Sequence, residues 1–83
     1  MVMRIVDIPV EKVYVPSAKA KTLEAEKLES LAEDILENGL QNPIYVRVGK
    51  DRYVLQEGLH RLEAIKMLGE ETIEAKIVQA KKA

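Results

Sequence analysis

The sequence predicts an α+β domain in which two helices pack against a small mixed β-sheet. Two observations lead to this prediction. Apolar and polar residues alternate in four segments, whereas apolar residues recur every three or four positions in two others. These segments follow one another as strand, helix, β-hairpin, helix and strand. Because 83 residues suffice for one hydrophobic core, residues 1–83 are expected to form a single domain.

The amino-terminal segment alternates loosely over residues 4–15. Proline cannot donate a hydrogen bond within a sheet, so this segment is predicted to form one or two short strands interrupted at Pro9. Residues 16–21 are predicted to form a loop. The first helix is therefore expected to begin after this loop.

The first helix is predicted over about residues 23–38. Its apolar side chains have the spacing of a helix with one buried face: Leu28, Leu31, Ala32, Ile35 and Leu36. Thr22 is expected to cap the start of this helix. Gly39 is expected to end it, with Leu40 packed back against Ile35.

A β-hairpin is predicted next. Residues 43–48 and 52–56 alternate in polarity on either side of the turn Gly49-Lys50-Asp51. In the first of these strands the side chains expected to face the core are those of Ile44, Val46 and Val48.

A second helix and a last strand complete the predicted fold. The helix is expected over about residues 60–68 and to end at Gly69. The strand is expected over residues 72–79, because alternation resumes there. The side chains predicted to face the core from this strand are those of Ile73, Ala75 and Ile77.

The composition excludes several classes of function. The chain contains no cysteine, which rules out disulfides, thiol catalysis and zinc–cysteine sites. No apolar run approaches the roughly 18 residues of a membrane span, and the first residues do not resemble a signal peptide. A cytoplasmic location and no membrane partner are expected. The formal net charge of −1 argues against binding nucleic acid through bulk electrostatics.

The strongest candidate site is the junction between the hairpin and the second helix. Gly58 tolerates positive φ and allows a ligand to approach the backbone closely. The helix start exposes unpaired N–H groups and a partial positive charge. His60 and Arg61 add basic side chains, which are unfavourable there by about 0.3–1 kcal/mol unless an anion lies nearby. The junction is therefore predicted to bind phosphate.

Other side chains near this junction have two interpretations each. Glu57 could bind Mg²⁺ or act as a general base, or it could simply complement the helix dipole. Lys27 and Ser30 lie one turn apart and could face the junction, or Lys27 could pair with Glu24 or Glu26 on a polar face. A single histidine cannot build a metal site without help from carboxylates, so His60 is predicted to be a phosphate donor and no protein metal site is predicted.

The chain resembles the ParB/sulfiredoxin superfamily over essentially its whole length. The order and spacing of several stretches carry this resemblance: residues 22–35, 39–40, 43–47, 57–64 and 68–69. Residues 71–79 are particularly similar to the ends of sulfiredoxins. The resemblance implies a ParB/sulfiredoxin-like fold that binds ATP or ADP with Mg²⁺.

The resemblance also implies roles for individual residues. In sulfiredoxins a His-Arg pair binds the ATP phosphates, and it corresponds to His60 and Arg61 beside Gly58 and Leu59. A lysine and a serine on the first helix line the same site and correspond to Lys27 and Ser30. The family's basic loop residue has no clean counterpart, and Lys19 or Lys21 could replace it. Asp34 stands where sulfiredoxins have a hydroxyl.

Leu59 is the main departure from the family. Sulfiredoxins carry their catalytic cysteine at this position, so the reduction of a sulfinic acid by their route is excluded. Free-serine kinases of the superfamily carry Asp-Gly-His-His-Arg here, and ParB proteins, which bind CTP, carry Gly-Glu-Arg-Arg.

The sequence therefore favours a nucleotide-binding domain without reductase chemistry. Three alternatives stay open. One is a small phosphotransferase or nuclease that uses Glu57. Another is a DNA-associated regulatory module of the partition type, with DNA or a partner protein as the binding partner. The last is an engineered or consensus scaffold of the fold, since the chain is rich in Glu and Lys and lacks Phe and Trp.

Overall fold

A computed structural model describes residues 4–78 and contains one five-stranded mixed β-sheet. The strands are β1 (Arg4–Pro9), β2 (Val13–Tyr14), β3 (Ile44–Gly49), β4 (Arg52–Glu57) and β5 (Thr72–Ile77). The α-helices are α1 (Ser17–Ala20), α2 (Ala25–Asn38) and α3 (Leu59–Met67). The predicted α+β class is confirmed.

The strands lie side by side in the order β1-β5-β3-β4-β2. β5 pairs in parallel with β3 and antiparallel with β1, where Arg4 lies opposite Ile77. The β3–β4 hairpin is antiparallel, with a register shift between Tyr45 and Val46. The two-residue strand β2 pairs in parallel with β4 at the other edge. Parallel strands require crossover connections: α2 lies in the connection from β2 to β4, and α3 lies in the connection from β3 to β5.

The core lies between this sheet and the two long helices. The side chains of Ile44, Val46, Leu55 and Leu62 are fully buried, together with Ala64 and Ala75. Within the described residues no polar or charged side chain is buried. The apolar side chains of the strands and those of the helices therefore pack together in one layer, which holds α3 against the sheet.

The structure corrects two details at the start of α2. The predicted loop at residues 16–21 is wrong, because Ser17–Ala20 form a helical turn in which Lys19 and Ala20 donate to the Pro16 carbonyl. Thr22 does not cap α2. Its hydroxyl donates to the Lys19 carbonyl at 2.7 Å, and α2 begins only at Ala25.

Other boundaries agree with the predictions to within two residues. Gly39 ends α2 with φ 78° and Leu40 packs on the core, as predicted. α3 begins at Leu59 rather than at residue 60. β5 ends at Ile77, and the predicted continuation to residue 79 passes beyond the described residues.

Two residues predicted to face the core are exposed: Leu36, whose side chain on α2 is 73% exposed, and Val48 on β3. The side chain of Val48 is 58% exposed, whereas Val46 on the same strand is fully buried. Val48 lies next to the hairpin turn, and its exposure marks where the covered part of the sheet ends.

Within residues 4–78 no helix combines the length and the apolar character needed to cross a membrane.

Candidate functional site

The chain turns sharply between β4 and α3. Gly58 has φ 106° and ψ 34°, a left-handed conformation that glycine adopts without strain. A Cβ atom at this position would lie 2.7 Å from the Cγ2 atom of Ile44 on β3. Glycine is therefore required here by the backbone conformation and by the close packing on β3.

The start of α3 presents free backbone donors. Its first helical hydrogen bond runs from the Leu62 N–H to the Gly58 carbonyl, and no described side chain caps the helix. The N–H groups of Leu59, His60 and Arg61 precede that bond and have no partner within the helix. With the positive end of the helix dipole, they form an arrangement suited to an anion.

A cavity of about 630 Å³ opens at this helix start. It is lined by residues from all three helices and from the chain beside β3 and β4: Lys19, Thr22, Lys27, Leu31, Asn42, Glu57, Gly58, Leu59, His60 and Arg61. Three of these side chains are lysine or arginine and one is a carboxylate. The lining is therefore basic although the chain as a whole has a net charge of −1.

The starts of α2 and α3 are joined by a hydrogen bond. The backbone N–H of Glu24, which precedes α2, donates to Nε2 of His60 at 3.0 Å. Nε2 is therefore an acceptor, which places the imidazole hydrogen on Nδ1. Because both helices begin beside the cavity and run in the same direction, the positive ends of their dipoles point toward the same place.

Two of the basic side chains already contact protein groups. Nζ of Lys27 lies 3.2 Å from a carboxylate oxygen of Glu24, with both side chains largely exposed. Nη1 of Arg61 donates to the Pro43 carbonyl at 3.1 Å. This bond uses one of the five N–H donors of the guanidinium group and holds the group in the cavity wall.

The structure brings most of the predicted site residues together, but not all. Glu57, the stretch 58–61 and Lys27 line the cavity, whereas Ser30 and Lys21 are exposed and lie outside its lining. Lys19 lines the cavity in place of Lys21. Lys19 lies within the helical turn α1, whereas Lys21 follows its last residue, Ala20.

Sequence reasoning missed three lining residues. The sequence pattern assigns Thr22 to a helix cap and Leu31 to the core. Asn42 comes immediately before Pro43 and β3, where the sequence carries a turn signal but no binding motif. Among the described residues no group of three His, Cys, Asp or Glu side chains is placed to hold a metal ion.

Comparison with known proteins gives a consistent result. The family model described as the ParB N-terminal domain matches residues 2–83. The chloroplastic/mitochondrial sulfiredoxin of Arabidopsis thaliana is 37% identical over 73 residues, which cover 88% of this chain. The match spans 58% of the length of that curated relative.

Solved structures have the same fold. The crystal structure of Arabidopsis thaliana sulfiredoxin superposes with a TM-score of 0.82 at 35% identity, covering 93% of this chain and 86% of that one. A truncated chromosome-partitioning protein ParB from Caulobacter crescentus, complexed with CTP-γ-S, gives 0.80 at 25% identity, covering 95% and 46%. A free serine kinase in complex with ADP gives 0.78 at 23% identity, covering 89% and 30%, and this likeness shows the fold alone.

The close packing of Gly58 leads to a stability prediction. Gly58→Ala should lower the free energy of unfolding by about 2–5 kcal/mol, because a Cβ both strains the left-handed backbone and displaces Ile44. Gly39→Ala is the matched control, since Gly39 also has positive φ but a Cβ there would meet nothing within 4 Å. The control should lose about 1–2 kcal/mol. Urea unfolding measures both, and equal losses would contradict the packing argument.

Proposed function

This chain belongs to the ParB N-terminal domain family, and on that premise we propose that it binds a nucleotide by its phosphate groups in the cavity at the start of α3. The observation that carries the proposal is the meeting of free helix N–H groups with Lys19, Lys27 and Arg61 around one cavity. The CTP-γ-S complex of the Caulobacter ParB relative supports it. In this proposal residues 1–83 act as one domain.

Backbone groups at the start of α3 bind the phosphates together with two side chains. The N–H groups of Leu59, His60 and Arg61 donate to one phosphate, and Gly58 allows it to approach the chain closely. The Arg61 guanidinium group donates to the same or the next phosphate while it stays bonded to Pro43. His60 contributes through its backbone N–H and through Nδ1–H, because its Nε2 is occupied by Glu24.

The two lysines neutralise the rest of the phosphate charge. Lys19 approaches from α1 and Lys27 from α2. The roles of Ser30 and Lys21 remain predictions from the family resemblance, because neither residue lines the cavity. Binding to DNA or to a partner protein likewise remains a prediction from the sequence.

We propose ATP or ADP with Mg²⁺ as the ligand. Mg²⁺ is usually held by phosphate oxygens with one or two carboxylates and several waters, so it does not need a cage built by the protein alone. Glu57 is the carboxylate among the described cavity residues and would supply that ligand. Sulfiredoxin chemistry is not part of the proposal, because the chain has no cysteine.

The binding test is isothermal titration with ATP, ADP and CTP in the presence of Mg²⁺. Arg61→Ala should raise the dissociation constant of the bound nucleotide about 10- to 150-fold, since a charge-assisted hydrogen bond contributes about 1.5–3 kcal/mol. Arg47→Ala removes an arginine from β3, outside the cavity lining, and should leave the affinity unchanged. Thermal melting checks that both variants are folded. Failure of all three nucleotides to bind would overturn the proposed function.

Glu24 should weaken nucleotide binding, because its carboxylate pairs with Lys27 and repels phosphate. Glu24→Gln should therefore lower the dissociation constant about twofold to fivefold, the scale of one exposed ion pair. Glu26→Gln makes the same change of charge on the same helical turn, where no ion pair to Lys27 is found among the described residues. Equal effects of the two variants would show that net charge, rather than competition for Lys27, is responsible.

Phosphoryl transfer is a second candidate function, favoured by the position of Glu57 in the cavity wall beside Gly58. Glu57 would accept the proton of an acceptor hydroxyl group. The hydroxyl oxygen would at the same time form a bond to the terminal phosphorus of ATP, and ADP would leave. Glu57→Gln should then abolish ADP release in a coupled assay even at saturating ATP and Mg²⁺, where a loss of affinity no longer limits the rate. The exposed Glu70→Gln should retain turnover. Undiminished turnover in Glu57→Gln would exclude this role.

A further inference from the structure

A second concave surface lies at the opposite ends of α2 and α3. This C-terminal groove has a volume of about 430 Å³ and lies between the ends of both helices and strands β1 and β5. Its apolar lining consists of Ile35, Leu36, Leu40, Ile65, Leu68 and Ile73. The isoleucines are buried, whereas the side chain of Leu36 on the groove wall is 73% exposed. The groove therefore offers apolar surface that the described residues leave uncovered.

The charges around this groove have one sign. Asp7, Glu70 and Glu74 line it and all three are exposed, whereas its lining includes no lysine or arginine from the part of the chain that the structure describes. Glu37 follows Leu36 in the chain and Glu71 follows Glu70, and both glutamates are exposed. The last turn of α2 carries no basic residue either. An apolar floor thus lies within an acidic rim.

The direction of the helices adds to this negative charge. α2 and α3 begin together at the cavity and end together at the groove, so the negative ends of both dipoles meet there. Cations near a helix end of this kind are stabilised. The lysine in the last turn of α3, Lys66, pairs with Glu63 and lies outside the groove lining. A bound partner could therefore supply the missing positive charge.

We propose that the C-terminal groove binds a basic amphipathic helix of a partner protein. The apolar side chains of that helix would cover Leu36 and the groove floor. They would be spaced at positions i, i+3 or i+4, and i+7. Its lysines and arginines would lie over the acidic rim and the helix ends. A second copy of this chain docked groove to groove is disfavoured, because the two acidic rims would face each other.

The test uses the full chain labelled with ¹⁵N and two synthetic peptides of about 15 residues, the length at which helices become stable. One peptide has leucines at helical spacing with lysines elsewhere, and the other has glutamate in place of every lysine. The lysine peptide should produce saturable shifts of the amide signals of Leu36, Gly39, Leu40, Leu68 and Glu70. The glutamate peptide should produce none.

A matched pair of variants locates the binding surface. Leu36→Ser should weaken binding of the lysine peptide about tenfold, because it removes an apolar contact. Val48→Ser should leave binding unchanged, since Val48 is also exposed, at 58%, but lies at the hairpin end of the sheet. Leu36 is exposed, so the variant should melt at the temperature of the parent protein.

Three results of the peptide titrations would overturn the proposal. They are the absence of saturable shifts, shifts centred outside the groove, and an affinity that does not distinguish the lysine from the glutamate peptide. Equal binding by the Leu36 and Val48 variants would overturn it as well. The proposal does not depend on nucleotide binding, because the groove and the cavity lie at opposite ends of α2 and α3.

Discussion

The contact between the Gly58 backbone and Ile44 determines how the start of α3 lies on the sheet. Without a side chain on Gly58, the helix begins directly against β3. Its neighbour Arg61 then reaches the carbonyl of Pro43, the residue immediately before β3. The free N–H groups and the guanidinium group consequently share one rigid frame. A binding site built in this way loses little conformational entropy when a ligand arrives.

The parallel arrangement of α2 and α3 gives the molecule its electrical polarity. Aligned dipoles repel each other, and the hydrogen bond from Glu24 to His60 ties the two positive ends together. With both helices held in this direction, their dipoles place partial positive charge at the cavity and partial negative charge at the C-terminal groove. Basic side chains line the cavity, and acidic ones surround the groove. The distribution of charge is thus more informative than the net charge of −1.

Sequence patterns predicted what depends on periodicity and missed what depends on single turns. The helical spacing located α2 to within two residues, and the alternation located the β3–β4 hairpin. α1 was missed because one helical turn has no periodicity. Thr22 was misassigned because a threonine before a helix can bond either to that helix or back to the preceding turn. Val48 has the right alternation, but the pattern does not reveal how far the helices extend over the sheet.

The same distinction applies to the site. Residues 57–61 are adjacent in the chain, so a motif could predict them together, and they do line one cavity. Asn42 and Thr22 come from distant parts of the chain and required the fold. The sequence alone could not show that Lys19 rather than Lys21 lines the cavity, because the helical turn α1 was not predicted. Nor could it show that Leu31 rather than its neighbour Ser30 on α2 lines the cavity.

The pairing of β1 with β5 has a further consequence for how this fold is used. Arg4 and Ile77 lie opposite each other, so the first and last described strands are hydrogen-bonded neighbours. A domain whose ends lie together can be inserted into a larger protein without separating the flanking segments. This modular geometry suits a fold that is also found within much longer chains, of which this one spans 46% in the ParB relative and 30% in the serine kinase.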